Sequence, residues 1–326
     1  MLVKPENIKN ILCVRNDRLG EFLLNLPALR ALKETFASAK ITMVIDPNLR
    51  ELAKSIPLID EVIEWKGLRH SFFEKLRMVS LLKKRNIDIA IILNPSKEFN
   101  IITYLSGIPI RVGYARKWDF LLTHTIEDKK HLGKMHEIEY NLELVGLIGA
   151  KTENKTLSLN VDSEMANNLL KAYNVEDNDL LLALHPWTSD PVKQWPQENF
   201  LELAKELIHE LKIKVIIIGG KEELAKSERL FKGEERLINS TGKTNLRELA
   251  ALLKRCKLLI SGDSGPVHLA STVGIPVLAI FRNDLPGKTA KRWGPWGEGH
   301  LVIEKPNLSE ITVDEVMAKA KEILKR

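Results

Sequence analysis

The sequence predicts an α/β protein made of two doubly wound domains with parallel sheets. The chain has 326 residues, and domains usually hold about 100 to 200, so two domains are favoured. Short apolar runs typical of buried strands alternate with longer amphipathic segments typical of helices, which is the pattern of a parallel sheet covered on both faces. This alternation begins twice, and a polar segment at 151–162 separates the two series.

Each half contributes four predicted strands. Those of the first half span 11–15, 41–45, 87–93 and 110–113, with helices over 22–36 and 72–84. Those of the second half span 180–184, 215–218, 258–260 and 277–281, with helices near 198–211 and 266–273. The predicted domains are therefore 1–160 and 161–326, and the last helix, 313–325, fits against either. Two such domains facing one another would leave a ligand cleft at the carboxyl ends of their strands.

Composition narrows the class of protein. Hydrophobic residues make up 44% and charged residues 28%, as in ordinary globular proteins. The longest apolar runs are far shorter than the roughly 20 residues that span a bilayer, and the first ten residues lack the apolar core of a signal peptide. Cys13 and Cys256 lie in apolar runs, so we expect two buried, reduced thiols in a cytoplasmic protein.

Positive charge is concentrated in the first half of the chain. Residues 1–160 hold 25 Lys and Arg against 19 Asp and Glu, whereas residues 161–326 hold 24 of each kind. Segment 66–85 has one acidic residue, Glu74, and seven basic ones: Lys66, Arg69, Lys75, Arg77, Lys83, Lys84 and Arg85. This segment predicts contact with an anionic partner, although a solvated helix face would have the same composition. Apolar residues at helical spacing within it favour packing or a membrane surface over nucleic acid.

The first candidate site follows the first predicted strand, in the run R-N-D-R-L-G-E at 15–21. Gly20 is the only glycine of this turn, so the three-glycine fingerprint of dinucleotide binding is missing and a dehydrogenase is disfavoured. Glu21 begins the next helix, where unpaired N–H groups favour an ionised carboxylate. We interpret Glu21 as a candidate general base, the alternative being a first-turn acid that only stabilises the helix.

The second candidate site is S-G-D-S-G-P-V-H-L-A at 261–270, directly after a predicted strand. Ser264 is placed to cap the following helix, and Gly265 allows backbone amides to approach a ligand. Such a helix start binds anions, and His268 adds a possible donor to a phosphate oxygen. Asp263 would repel phosphate, so we expect it to orient a sugar hydroxyl or the loop.

The third candidate site is H-P-W-T-S-D-P-V-K-Q-W-P at 185–196. Thr188, Ser189 and Lys193 supply two hydroxyls and a cation, which suit a diphosphate leaving group when no metal is present. Glu222, after the next strand, is a candidate for ribose hydroxyls. His131 and His136 lack any recognised metal-ligand spacing, so no metal site is predicted.

These motifs together resemble glycosyltransferase family 9, the ADP-heptose:lipopolysaccharide heptosyltransferases. Four segments match in order over nearly the whole chain: V-R-N-D-R-L-G-E with L-P-A-L-R-A-L, the run at 185–196, G-D-S-G-P-V-H-L-A-S-T-V-G-I-P-V-L-A-I-F, and R-W-G-P-W-G. The resemblance implies a GT-B architecture of two facing Rossmann-like domains, with the acceptor in the first and the donor in the second. It also implies metal-independent, inverting heptose transfer to the lipopolysaccharide inner core.

The resemblance assigns roles to individual residues. Glu21 becomes the catalytic base and Lys193 the group that stabilises the leaving ADP, while Arg15 and Arg18 contact the acceptor. The implied donor site comprises Thr188, Ser189, Lys193, Glu222, Asp263, Ser264, Gly265 and His268. No cofactor or metal is expected. The implied partners are ADP-heptose, an anionic lipid A-type acceptor and the cytoplasmic face of the inner membrane, without nucleic acid.

Three positions depart from the family pattern. The family usually has Asp where Glu21 stands, a small residue at Trp187 and glycine at Arg282. A longer base must be accommodated if it is to reach the same hydroxyl. A relative that uses another nucleotide sugar or acceptor, and a non-catalytic protein that binds a sugar nucleotide or lipid, therefore remain as alternatives.

Overall fold

The computed structural model describes residues 4–67, 70–176, 178–234 and 236–326. Arg69, one of the seven basic residues of segment 66–85, lies outside these ranges. The chain divides into two compact units, Met1–Thr156 and Leu157–Arg326. The division falls inside the polar segment at 151–162. Within the described ranges, no helix is long and apolar enough to cross a membrane.

Unit 1 is built around a six-stranded sheet whose strand pairs are all parallel. Its strands are β1 Asn10–Val14, β2 Lys40–Ile45, β3 Glu61–Glu64, β4 Ile89–Ile92, β5 Ile110–Tyr114 and β6 His124–Ile126. Its helices are α1 Leu19–Leu23, α2 Leu26–Thr35, α3 Arg50–Ala53, α4 Phe72–Lys84, α5 Lys97–Leu105 and α6 Glu137–Gly146. The central strands β1 and β4 are fully apolar after their first residue, because helices cover both faces of the sheet.

Unit 2 repeats this plan with a second six-stranded parallel sheet. Its strands are β7 Leu181–His185, β8 Lys214–Ile217, β9 Leu237–Asn239, β10 Leu258–Gly262, β11 Val277–Arg282 and β12 Leu301–Lys305. Its helices are α7 Ser163–Lys171, α8 Gln197–Leu211, α9 Leu224–Leu230, α10 Leu246–Arg255, α11 Gly265–Thr272, α12 Ala290–Trp293 and α13 Val313–Leu324. Helix α13 contributes Val316, Ala320 and Ile323 to the core of this unit.

The two sheets share one strand order. Unit 1 runs β3-β2-β1-β4-β5-β6 and unit 2 runs β9-β8-β7-β10-β11-β12. The order reverses between β1 and β4, and again between β7 and β10, and ligands of doubly wound sheets bind at the carboxyl ends of strands at such a reversal. The predicted fold class, doubly wound with parallel sheets, is confirmed in each unit.

The eight predicted strands are all present, but the sequence analysis missed the four outermost strands, β3, β6, β9 and β12. These strands are short or partly exposed, so they lack the continuous apolar run that identifies a central strand. Cys13 and Cys256 are buried free thiols, in agreement with the prediction.

The helix predicted over 22–36 is wrong, because the chain forms two helices that break at Leu24 and Asn25. Pro27 lies in the first turn of α2, where a backbone N–H would have no partner within the helix. In a continuous helix, its missing N–H would leave the carbonyl four residues earlier without a hydrogen-bond donor. The buried Asn25 side chain donates from Nδ2 to the carbonyls of Glu21, at 2.5 Å, and Phe22, at 3.3 Å. The break is therefore a fixed feature that ends α1 just after Glu21.

A buried polar network stabilises the break between α1 and α2. Lys130 Nζ lies 2.6 Å from Glu137 Oε1 and 3.2 Å from Asn141 Oδ1, and all three side chains are buried. Asn141 Nδ2 donates to the carbonyl of Leu24, at the break between α1 and α2. Arg15 Nη1 lies 3.5 Å from the same Glu137 oxygen. The network thus joins the end of β1, the α1–α2 break and the first turn of α6.

Replacing Glu137 by Gln should lower the free energy of unfolding by about 3 kcal/mol, because Lys130 would keep a buried charge without its carboxylate. Urea denaturation measures the change.

The matched control is Glu139→Gln on the same helix. Glu139 pairs with Lys155 at 2.9 Å, but both side chains are about one third exposed, so its loss should cost less than about 1 kcal/mol. Equal effects of the two substitutions would contradict a structural role for the buried network.

Candidate active site

The first part of the candidate site is the turn between β1 and α1. Arg15 follows β1, and its main-chain N–H still donates to Val44 on β2 at 2.9 Å. Asp17 lies two residues further along the turn, and its Oδ1 accepts a hydrogen bond from Arg15 Nε at 2.9 Å. Glu21 lies on α1, half-buried. Two carboxylates and a guanidinium therefore meet at the carboxyl end of a central strand.

The pKa of Glu21 is raised above its ordinary value. Burial is the largest cause, because it disfavours the charged form, and the negative charge of Asp17 adds to it. Arg15, the backbone N–H of Glu21 itself and Arg18 lower the pKa without offsetting those two effects. A backbone N–H does favour the ionised carboxylate, as expected, but its effect on the pKa is smaller than those of burial and Asp17. A raised pKa makes this carboxylate a stronger proton acceptor.

Arg15 is 3% exposed, and its guanidinium donates to Asp17 and to the carbonyl of Leu93, at 3.0 Å. Burial alone would lower its pKa, but the carboxylates of Asp17, Glu137 and Glu21 raise it overall. The side chain thus holds carboxylates in place inside unit 1. Arg18, in contrast, is exposed just before α1. The acceptor contacts expected of both arginines stay predictions.

The second part of the candidate site lies in unit 2, where the loops after β7 and β10 meet. Lys193 ends a 3₁₀ helix, Pro191–Lys193, and its Nζ lies 2.5 Å from Asp263 Oδ2. The two side chains are 17% and 10% exposed. A Cβ on Gly262 would lie 3.4 Å from the Lys193 carbonyl, an ordinary van der Waals contact, so the two loops pack directly against each other here. Asp263 therefore orients the lysine.

A buried hydroxyl cluster joins the ends of the same two strands. His185 Nδ1 lies 3.2 Å from Ser261 Oγ and 3.1 Å from Ser264 Oγ, and the two hydroxyls are 2.8 Å apart. Burial lowers the pKa of His185 to about 3, so the ring is neutral at physiological pH. Ser264 is placed before α11 as predicted, but its side chain bonds within this cluster instead of capping the helix.

Helix α11 begins at Gly265 with Pro266 in its first turn, as predicted. Because Ser264 makes no side-chain cap, its hydroxyl does not occupy the first-turn amides that would receive an anion. His268 is 3% exposed, with its ring 6.5 Å from that of Trp293 in an edge arrangement. Its contact with a phosphate stays a prediction.

The remaining donor candidates follow neighbouring strands. Thr188 is half-buried, and its hydroxyl accepts from the Asp190 N–H at 3.3 Å, whereas Ser189 is exposed. Glu222 is exposed after β8 and folds over Gly220, where an added Cβ would lie 2.7 Å from Oε2. Glu223 instead accepts from the Gly220 N–H at 2.7 Å. Of these two acids, Glu222 is the more exposed residue.

Two departures from the family pattern have structural explanations. Trp187 is 4% exposed and donates from Nε1 to the Ile218 carbonyl at 3.1 Å, and an added Cβ on Gly219 would lie 2.6 Å from the same nitrogen. Trp187 is therefore a core residue. Arg282 binds Asp284 through two nitrogens and donates to the Val192 carbonyl at 3.1 Å. Arg282 therefore braces the loop that contains Lys193.

In unit 2, the structure brings Lys193 and Asp263 into contact, whereas the Ser264 hydroxyl bonds to His185 and Ser261. The sequence analysis missed Glu137 and Lys130, and it gave no role to His185, the first residue of the third candidate site. No pattern distinguished them, because each becomes significant through a partner more than five residues away. In the part of the chain that the structure describes, no group of three or more His, Cys, Asp or Glu residues could hold a metal ion.

Comparison with known proteins identifies the family. The chain is 25% identical to a putative glycosyltransferase of Haemophilus influenzae, covering 96% of each chain. It is 25% identical to lipopolysaccharide heptosyltransferase 2 of Salmonella typhimurium, over 86% of this chain and 84% of that enzyme. The solved structure of Escherichia coli ADP-heptose lipopolysaccharide heptosyltransferase II superposes with a TM-score of 0.85 at 20% identity, covering 97% and 98%, and shares the GT-B type of fold. The model of glycosyltransferase family 9 (heptosyltransferase) matches residues 75–319, and the chain belongs to this family of glycosyltransferases.

Proposed function

We propose that the protein transfers a heptose from ADP-heptose to an inner-core sugar, Kdo or heptose, of lipopolysaccharide, with inversion and without a metal ion. The names of the relatives support the donor and acceptor classes. The observation that matters most is Glu21, a half-buried carboxylate with a raised pKa at the carboxyl end of β1. A direct displacement needs such a proton acceptor for the attacking hydroxyl.

The reaction is a single displacement at the anomeric carbon. The acceptor oxygen forms the new bond to that carbon while the bond to the ADP oxygen breaks, and ADP leaves with the electron pair. Glu21 takes the proton of the acceptor hydroxyl. Attack from the side opposite ADP inverts the configuration.

Lys193 stabilises the negative charge that develops on the departing diphosphate, together with the amides at the start of α11. Asp263 supports this role, because its carboxylate at 2.5 Å fixes the ammonium group before the substrate binds. The cation supplies the positive charge that a metal ion would otherwise provide. Thr188, Ser189 and Glu222 are the proposed contacts to the rest of the donor.

The acceptor is an anionic lipid A-type molecule, which implies work at the cytoplasmic surface of the inner membrane. The positive charge of the first half of the chain supports such a partner. In this proposal the protein associates with the membrane peripherally, and no nucleic acid takes part.

Replacing Glu21 by Gln should lower kcat by about 10² to 10⁴ while donor affinity stays nearly unchanged, because the loss of a positioned base affects only proton transfer. Steady-state kinetics with a lipopolysaccharide-core acceptor and calorimetry with ADP-heptose measure the two effects.

Glu21→Asp is the matched variant. A pocket adapted to the longer side chain loses activity on shortening, whereas a merely tolerated Glu gains it. Full turnover by Glu21→Gln would show that another group takes the proton.

Replacing Asp17 by Asn should move the acid limb of the kcat/KM profile to lower pH. The charge of Asp17 raises the pKa of Glu21, so removing it lowers that pKa and keeps the base deprotonated in more acidic solution. Glu153→Gln, which changes an exposed carboxylate elsewhere in unit 1, is the control, and an unchanged limb in Asp17→Asn would contradict the coupling.

Replacing Lys193 by Ala should lower kcat by about 10² to 10³ and weaken ADP binding much less, because the charge it stabilises develops in the transition state. Lys288→Ala is the control. Lys288 is an exposed lysine whose Nζ lies 3.1 Å from the carboxylate of Asp190, and Asp190 is in the same loop as Lys193. If ADP and ADP-heptose bind no better than NADH in calorimetry, the donor assignment is wrong.

A further inference from the structure

Unit 1 exposes two pairs of aromatic side chains. Phe72 and Phe73 begin α4 and are 70% and 75% exposed, with ring centroids 6.1 Å apart. Trp118 and Phe120 follow β5 and are 46% and 76% exposed, with centroids 5.9 Å apart. Single exposed apolar residues are common, but large rings grouped in this way indicate an interaction surface.

Both pairs lie at the edge of the sheet that is formed by the carboxyl ends of its strands. Helix α4 begins after β3, α5 begins after β4, and segment 115–121 follows β5, so all three start at the carboxyl ends of parallel strands. Lys97 Nζ lies 3.8 Å above the Trp118 ring, and Lys75 Nζ lies 3.3 Å from Glu98 Oε1. Because Lys97 and Glu98 are consecutive in α5, the two aromatic pairs flank the same helical turn. Glu21, which follows β1, lies at this edge as well.

The second pair is held in place by its backbone. Lys117 and Trp118 have φ values of 56° and 67°, a left-handed conformation that bulky residues rarely adopt. Asn100 Nδ2 donates to the Lys117 carbonyl at 3.0 Å, and Lys117 Nζ donates to the Pro95 carbonyl at 3.0 Å. These bonds offset the cost of the strained turn and fix Trp118 and the following Phe120 toward solvent. Strain of this kind is typical of functional segments.

The charge around the aromatic rings is positive. Segments 65–67, 70–77, 95–98 and 115–120 contain six Lys and Arg residues against three Asp and Glu residues, and Asp128 pairs with one of the six, Arg116, at 3.0 Å, which leaves a net positive charge. The other basic residues of segment 66–85 that the structure describes, Lys83, Lys84 and Arg85, lie at the far end of α4, about 20 Å away for a 13-residue helix. Arg85 there forms an ion pair with Glu61, at the start of β3. The basic segment is thus divided between opposite edges of the sheet.

We propose that this aromatic-basic edge, formed by Phe72, Phe73, Trp118 and Phe120 with the surrounding lysines and arginines, docks unit 1 on an anionic lipid bilayer. The rings enter the headgroup region while the cations bind lipid phosphates, the combination that holds proteins at membrane interfaces. A second copy of the chain is a poorer partner, because pairing two such edges would oppose like charges. The inference rests on the proposed function in one respect: docking at this edge brings Glu21 to a lipid-anchored acceptor.

Cosedimentation with vesicles of phosphatidylethanolamine and phosphatidylglycerol tests the docking surface. The double variant Phe73→Ser/Phe120→Ser should bind these vesicles about tenfold more weakly, since two rings would no longer enter the interface. Leu180→Ser, which removes a 51% exposed apolar side chain from unit 2, should leave binding unchanged. Equal retention of the double variant and the parent protein would overturn the proposal.

Charge reversal on α4 tests which end of the helix faces the bilayer. Lys75→Glu/Arg77→Glu should release the protein from the same vesicles, whereas Lys83→Glu/Lys84→Glu, at the far end, should have a clearly smaller effect. The opposite ranking would overturn the proposed orientation. If the parent protein is a dimer in size-exclusion chromatography and Phe73→Ser/Phe120→Ser is a monomer with unchanged vesicle binding, the edge joins two copies and the proposal is wrong.

Transfer to a water-soluble acceptor without acyl chains separates this inference from the proposed function. Weaker vesicle binding by Phe73→Ser/Phe120→Ser with unchanged soluble transfer supports the docking surface. Vesicle binding as expected, with no transfer to any core acceptor, supports the docking surface and contradicts the proposed function.

Discussion

The reversal of strand order in each sheet is the constraint on which the rest of the structure depends. Helices that connect strands on opposite sides of the reversal lie on opposite faces of the sheet, so the loops between β1 and α1 and between β10 and α11 have no helix crossing above them. Side chains in these loops remain accessible to a ligand. Glu21, Lys193 and Asp263 all lie in or beside loops of this kind, which is why short motifs in distant parts of the sequence become parts of candidate sites.

The two candidate catalytic groups have neighbouring charges of opposite effect: Glu21 lies near a like charge, whereas Lys193 is paired with an opposite charge. Burial and the like charge of Asp17 raise the pKa of Glu21 and so strengthen its attraction for a proton. Lys193 instead has the opposite charge of Asp263 at 2.5 Å, which holds the ammonium group in one position. A base benefits from an environment that disfavours its charge, whereas a group that stabilises a leaving anion benefits from being fixed and charged beforehand.

Unit 1 combines a rigid interior with an exposed aromatic edge. Lys130 and Glu137 form a buried ion pair beneath the α1–α2 break, where Asn141 also binds the Leu24 carbonyl. The break therefore has buried support, and α1 ends at a defined place. At the same edge of the sheet, side chains such as Phe73 and Phe120 remain largely exposed. A fixed carboxylate and an exposed apolar rim at the same end of the sheet are the two features on which the proposed docking surface depends.

The sequence alone determined the features that depend on local pattern. Continuous apolar runs identified the eight central strands, and the glycine, proline and serine spacing at 261–270 identified the start of α11. Pro27 also signalled the break after α1, although the amphipathic period around it was mistaken for one long helix. The four edge strands were not predicted, because they are short and partly exposed and so lack a continuous apolar run.

Only the tertiary structure decided which distant side chains meet. Lys193 and Asp263 are 70 positions apart, and Arg15 and Glu137 are 122 apart, so periodicity along the chain contains no signal for either pair. The basic segment at 66–85 was a single feature in the sequence, but the rise of α4 places its two ends at opposite edges of the sheet. Local periodicity fixes which residues form an element, whereas the packing of elements fixes what each charged side chain faces.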